Sequence, residues 1–241
     1  MKLLEIYEKL NLISPFDLQE KWDNSGLQIG SMTDEVSEII LSLDLDEQLI
    51  EEAKEGTLFL THHPLIFGKL TSLDLDAYPA NMIKKMMDKK LKLISLHTNF
   101  DKTHLNAHVA ENILGLKLES HENFIAEAKV DMSFDTLVDT VKEKFGLEHF
   151  KTVCCHDYIK SIALCTGSGA SMLSDIKADI FLTGDIKYHD AMIAKSLNIS
   201  MIDIGHYESE CFFSEVLAKE LKDWQISVII SNSKNPFNYK R

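Results

Sequence analysis

The chain has 241 residues and carries 25 lysines and arginines against 38 aspartates and glutamates, a formal net charge of −13. Its 45% hydrophobic and 26% charged residues are enough to bury a large core, which excludes a disordered chain. The acidic total is spread along the sequence and repels a phosphate backbone unless one face is locally basic, so a nucleic acid partner is unsupported though not excluded.

The N-terminal segment MKLLEIYEKLNLISPFD turns charged too early for a signal peptide. No stretch approaches the roughly 18 apolar residues needed to span a bilayer. A cytoplasmic protein without membrane contact is expected. Cys154, Cys155, Cys165 and Cys211 lack paired CxxC spacing and are expected as free thiols.

In chain order, residues 3–10 suggest a short amphipathic helix. WDNSGLQIG at 22–30 reads as tight turns at Gly26 and Gly30, with Asp23 and Asn24 bonding their own backbone and Trp22 packed. VSEIILSLDL at 36–45 reads as a strand and DEQLIEEAKE as a helix. TLFLTHHP follows as strand into loop, DAYPANMIKKMMDKK as mostly helix, LKLISLHTNFD as strand into loop, and THLNAHVAENILG as a helix stopped by Gly115. The one dense basic run, KKMMDKKLK at 84–92, is the solvated end of a helix entering a strand.

KLESHENF at 117–124 is polar and turn-like and marks a compositional shift. IAEAKVDM then reads as strand, SFDTLVDTVKEKFG as a helix capped by Ser133, and KTVCCH and SIALCTG as strands separated by a DYIK turn. The last third continues as helix ASMLSDIK, strand ADIFLTG, helix KYHDAMIAKSLN, strand SMIDIG, helix YESECFFSEVLAKELKDW and strand QISVII. Strand-helix alternation of this kind predicts an α/β fold with mostly parallel strands covered on both faces. The shift near 120 predicts a first lobe of residues 1–120 and 200–241 and a second of 121–199.

Four predicted strand ends carry chemistry: His62 and His63, HTNFD at 97–101, GDIKYHD at 184–190, and GHYESE at 205–210. Ligands of open α/β sheets bind beyond the carboxyl ends of the strands. His206 and Glu210, four apart, share one face of a helix that begins near His206. With His62, His63 and Asp101 they supply three imidazoles and two carboxylates, enough for two ions of zinc, iron, manganese or cobalt. Each residue alone reads as an ordinary loop hydrogen-bonder. Adjacent His62 and His63 can both serve metal because the chain has left strict strand alternation, and Pro64 keeps His63 extended.

Taken in order, WDNSGLQIG, THHP, HTNFD, ADIFLTGDIKYHD and GHYESE resemble the ordered motifs of the NIF-three-like family, whose members bear the name GTP cyclohydrolase 1 type 2 homologue. The resemblance implies two similar lobes with a dinuclear metal site in the cleft between them, and a homo-oligomer, a toroidal hexamer built as a trimer of dimers. By motif position it assigns the metal ligands to His62, His63, Asp101, His206 and Glu210. Longer members carry an inserted mid-chain domain for which this chain is too short.

His97 and His189 are the candidate catalytic residues, each able to shuttle a proton; His97 serves equally well as a group that orients a ligand or holds its loop. Asp185 reads first as a helix-start hydrogen-bonder. CTGSGAS at 165–171 offers backbone N–H groups to a phosphate, or is simply a tight turn. The functional expectation is a metal-dependent hydrolase acting on a small molecule. Ring-opening of GTP with loss of formate is what the family name implies, although nothing in the sequence reads a guanine. The alternative is a non-catalytic ring-shaped metal-binding or regulatory scaffold for protein or nucleic acid.

Overall fold

The computed structural model describes residues 1–122, 124–231 and 234–238. The chain divides into two compact units, Met1–Phe100 with Phe213–Arg241, and Asp101–Phe212. These breaks differ from the boundaries expected near 120 and 200.

The first unit is built on a five-stranded sheet of order β1-β4-β3-β2-β11. Its strands are β1 (Gly26–Ile29), β2 (Glu38–Ser42), β3 (Leu58–Thr61), β4 (Lys92–Ser95) and β11 (Ser227–Ile230). β11, β2, β3 and β4 run parallel, and β1 pairs antiparallel to β4. Every residue of β3 and β4 is buried, as the apolar stretches LFL at 58–60 and LI at 93–94 require of strands covered on both faces, and β4 buries the flanking Lys92 and Ser95 as well. Fully burying side chains such as Leu58, Phe59 and Leu60 stabilises by about 1.5–3 kcal/mol each.

Helices α1 (Leu3–Ile13), α2 (Glu47–Glu52), α3 (Ala80–Asp88), the single turn α4 (Thr98–Phe100) and α9 (Phe213–Glu220) complete this unit. Asp46 caps α2 through the Leu49 N–H at 2.8 Å. The basic run on α3 is neutralised within the unit. Lys84 pairs with Asp88, Lys85 with Glu47, and Lys90 with Glu55 at 2.6 Å, while Lys89 Nζ donates to the carbonyl of Ile50. That run therefore offers a phosphate backbone little unspent charge.

The register brings Ser42, Thr61 and Ser95 to the same level at the carboxyl ends of β2, β3 and β4. Asp44, His62, His63 and His97 follow directly from those ends.

The second unit carries a six-stranded sheet of order β5-β6-β8-β9-β10-β7. The strands are β5 (Leu118–Glu122), β6 (Ile125–Ser133), β7 (Thr152–Val153), β8 (Tyr158–Leu164), β9 (Ile180–Thr183) and β10 (Ser200–Asp203). Only β8, β9 and β10 are mutually parallel; β5, β6 and β7 pair antiparallel. The fold is thus α/β with mixed sheets, and the mostly parallel expectation fails here because β5 and β6 form a hairpin rather than a crossover.

Asp101 opens a π-helical stretch, Asp101–Leu105, followed by α5 (Asn106–His108) and a second π turn, Val109–Ile113. The unit also contains α6 (Phe134–Phe145), α7 (Tyr188–Leu197) and α8 (His206–Glu210). Ser133 caps α6, its hydroxyl accepting from the Thr136 N–H at 3.1 Å, and Gly146 ends it at φ 64°.

Several local expectations are corrected. Gly26–Ile29 is an edge strand and not merely a turn, because pairing with β4 supplies its hydrogen bonds. HTNFD is helical from Thr98, and DYIK lies mostly within β8. KLESHENF contains β5, while its Asn123 lies outside the described residues. ASMLSDIK forms a 3-10 turn, and YESECFFSEVLAKELKDW is two helices rather than one. All four cysteines are free thiols. Among the described residues no helix is long and apolar enough to cross a membrane.

Candidate metal centre

In the first unit the turn after β3 abandons strand geometry at once: the N–H groups of His62 and His63 both donate to the carbonyl of Leu43, at 3.1 Å each. The two rings consequently lie together, centroids 5.0 Å apart, instead of on opposite faces. His97 joins them after β4, its ring 5.1 Å from that of His62 and 5.6 Å from that of His63. Each of the three offers a ring nitrogen within 4.8 Å of the others.

What these rings can do depends on their protons. His62 Nδ1 lies 2.9 Å from the carbonyl of Leu96, which only accepts, so Nδ1 carries the proton and Nε2 the lone pair. His63 Nδ1 meets Asp44 Oδ1 at 2.7 Å, and His97 Nδ1 meets Asp23 Oδ1 at 2.8 Å. An oxygen at Nδ1 fixes the tautomer and makes Nε2 a better donor, the arrangement usual at metal-bound histidines.

Asp23 is fully enclosed and also accepts from the N–H and hydroxyl of Thr98 and the N–H of Asn24. Burial acts to raise its pKa, but the hydrogen bond and charge of His97, with the bonds from Thr98 and Asn24, hold the carboxyl far below the usual carboxylate range.

Within the second unit, β10 ends at Asp203, whose carboxylate accepts from the N–H groups of Ile186 and Gly205 and pairs with Lys151. That clamp fixes both the loop carrying Asp185 and the entry to α8. His206 Nδ1 lies 2.7 Å from Asp185 Oδ2, and its Nε2 lies 3.1 Å from Glu210 Oε2, one helical turn on. Asp101 and Glu210 are buried and offer oxygens within 4.8 Å of each other. Asp185 and Glu210 flank the one His206 imidazole, and Asp101 adds a further buried carboxylate beside Glu210, so this set needs compensating positive charge, which a bound cation can supply.

The glycine-rich turn is shaped by these groups. A Cβ on Gly167, at φ 64°, would overlap the carboxylate of Glu210 and lie 3.5 Å from His206 Nε2. Its N–H donates to Ser209 Oγ at 3.0 Å, and that of Gly169 to Thr183 Oγ1 at 2.8 Å. Two amides that a phosphate would have used are spent on side chains. Thr166 places its hydroxyl 3.4 Å from Asp101 and 2.9 Å from Asn106. Burial pushes the Cys165 thiol well up, as do the neighbouring Asp101 and Glu210.

The model of the family Duf34/NIF3 (NGG1p interacting factor 3) matches residues 1–236.

The chain belongs to the DUF34/NIF3 family.

A GTP cyclohydrolase 1 type 2 homolog from Campylobacter jejuni is 50% identical over 240 residues, covering 99% of this chain and 100% of the relative. A Helicobacter pylori protein named GTP cyclohydrolase 1 type 2 is 45% identical over 234 residues, 96% of each chain. The crystal structure of a Staphylococcus aureus hypothetical protein is similar with a TM-score of 0.87 and 28% identity, covering 100% of this chain and 99% of that one.

Of the residues assigned through the resemblance to the NIF3 family, His62 and His63 stand with His97 in the first unit, and Asp101, His206 and Glu210 in the second. His189 is exposed on the first turn of α7, its ring against Tyr188, and belongs to no donor cluster found among the described residues. Asp185 orients His206 instead of capping α7, a role taken by Asp190, which accepts from the Lys187 N–H. Trp22 is not packed away but exposed. Asp44 and Ser209 were not singled out in the sequence, where an Asp after a strand or a Ser in a helix carries no distinctive signal. Only their partners give them meaning.

Proposed function

We propose that the protein is a metal-dependent hydrolase in which His62, His63, Asp101, His206 and Glu210 hold two divalent transition-metal ions, zinc, iron, manganese or cobalt. The observation that carries this reading is the shared state of the imidazoles: His62, His63 and His206 each have Nδ1 against an oxygen, so Nε2 is the ring atom offered to a ligand. Mixed nitrogen and carboxylate donors suit those metals better than magnesium or calcium.

Bound ions would acidify a water and polarise the bond to be hydrolysed. The chain's own residues do the rest. Asp44 and Asp185 keep His63 and His206 from rotating, and the buried carboxylates of Asp101 and Glu210 balance the cationic charge. His97 Nε2 takes a proton from the attacking group, and Asp23 stabilises the resulting imidazolium through Nδ1–H. His189 is the second candidate for proton transfer. The names of the relatives make ring-opening hydrolysis of GTP the first reaction to assay, in a homo-oligomer expected to be hexameric.

The test is metal content by mass spectrometry alongside formate release from GTP, for the wild type, His63→Ala and Glu210→Ala. About two metals per chain with formate release, both lost in folded variants, supports the hydrolase. Bound metal without hydrolysis of GTP or of phosphoester and amide substrates leaves a non-catalytic metal-binding assembly. Absence of bound metal in protein purified without chelator and resupplied with each of the four ions overturns the reading.

A further inference from the structure

The first unit exposes two large aromatic rings beside its imidazole cluster. Trp22 is 58% exposed and Phe67 62% exposed. Their centroids are 6.0 Å apart in edge-to-face contact, and each stands edge-to-face with His97, at 6.1 Å and 6.3 Å. Leaving two such surfaces in water forgoes the burial that the fold gives to Phe59 and Phe100, and apolar faces with convergent polar groups beside them are characteristic of ligand sites.

The rings are also held in place. Asn24 Nδ2 donates to the carbonyl of Ile66 at 2.7 Å, and the Ile66 N–H donates to Gln28 Oε1 at 3.2 Å. Gln28 Nε2 returns to the carbonyl of Asn24 at 2.5 Å. The segment bearing Trp22 is therefore stitched to the residue preceding Phe67, while Asp23 between Trp22 and Asn24 fixes His97. Three consecutive residues, Trp22, Asp23 and Asn24, thus supply one aromatic wall, orient the neighbouring imidazole and anchor the second wall. Loops tied this closely keep an exposed face ready for a ligand, which lowers the ordering cost of binding.

We propose that Trp22 and Phe67 form a stacking platform that selects a substrate bearing a planar heteroaromatic ring the size of a nucleobase, holding that ring against His97. This rests on the hydrolase reading for its purpose, but the binding itself needs neither turnover nor metal. Both rings keep more than half of their surface exposed, and stacking on an aromatic side chain tolerates different ring systems.

The test uses Trp224→Phe protein, in which Trp22 is the single tryptophan, titrated with inosine and separately with ribose while Trp22 fluorescence is followed. Inosine should quench saturably and ribose should not. Adding Phe67→Leu should weaken inosine binding roughly 5- to 100-fold, and Trp22→Leu, followed by ligand-observed NMR, should do the same. Bound metal should be unchanged in both variants. Equal binding of ribose, inosine affinity indifferent to both substitutions, or no saturable quenching would overturn the platform. Platform binding in a protein that takes up no metal would sink the hydrolase reading while leaving the stacking site standing.

Discussion

The two units present their candidate metal donors in contrasting ways. The first offers imidazoles gathered at the ends of adjacent parallel strands, each ring steered by an oxygen from a different segment: the carbonyl of Leu96, Asp44 or Asp23. The second offers a carboxylate-rich set, Asp101 and Glu210 with His206, fitted against a backbone from which side chains have been removed at Gly167. Orientation is the problem solved in the first unit, and charge and space are the problems solved in the second. An imidazole must be turned to aim its lone pair, whereas a buried carboxylate needs room and a compensating charge.

That contrast predicts a ranking of substitutions. The largest loss should follow Glu210→Ala, which removes a buried anionic donor: metal content by mass spectrometry should fall by more than the 10- to 100-fold typical of losing an outer partner. His63→Ala should behave likewise, and a much milder result for either would break the equivalence of the two sets. Asp44→Asn and Asp185→Asn keep the shape of the side chain but weaken the hold on Nδ1. Each should reduce metal affinity about 10- to 100-fold, read by competition with a chromogenic chelator, with little change in thermal stability.

Gly167→Ala tests the space-making side. Its Cβ would overlap Glu210, and the left-handed backbone adds about 1–2 kcal/mol of strain, so both stability and metal retention should fall. Gly115→Ala is the control. It has a similar φ of 69° but nothing within 4 Å of the added carbon, so denaturant unfolding should show the backbone cost alone and metal content should not change.

The smallest effect concerns pH. Because the folded-state pKa of Asp23 lies below its unfolded value of about 3.9, its ionised form stabilises the fold above that pH, and the contribution is lost as pH falls toward the folded value. The stability advantage of the wild type over Asp23→Asn should therefore hold through pH 5 and shrink below about pH 4. An advantage that stayed constant down to pH 3 would show that Asp23 acts through shape and not charge.

The alternating strand-helix order was legible because β3, β4 and β9 are centred on short apolar runs and are buried at every position, and such runs are local patterns. The metal-donor candidates were legible too, through motifs that place histidines and acids at strand ends. β1 was not: only the ends of GLQI are buried, and antiparallel pairing with β4 makes it a strand.

By itself, the sequence marked the candidate metal donors, where the apolar strands run and which family motifs stand in order. Tertiary structure decided what orients those donors. Asp23 reaches His97 across 74 positions, Asp185 reaches His206 across 21 and Asp44 reaches His63 across 19. It also decided that the glycine-rich turn makes room for Glu210 and spends its Gly167 and Gly169 amides on Ser209 and Thr183. Hydrogen bonds and steric room of this kind depend on segments meeting in space, and no local periodicity records which segments will meet.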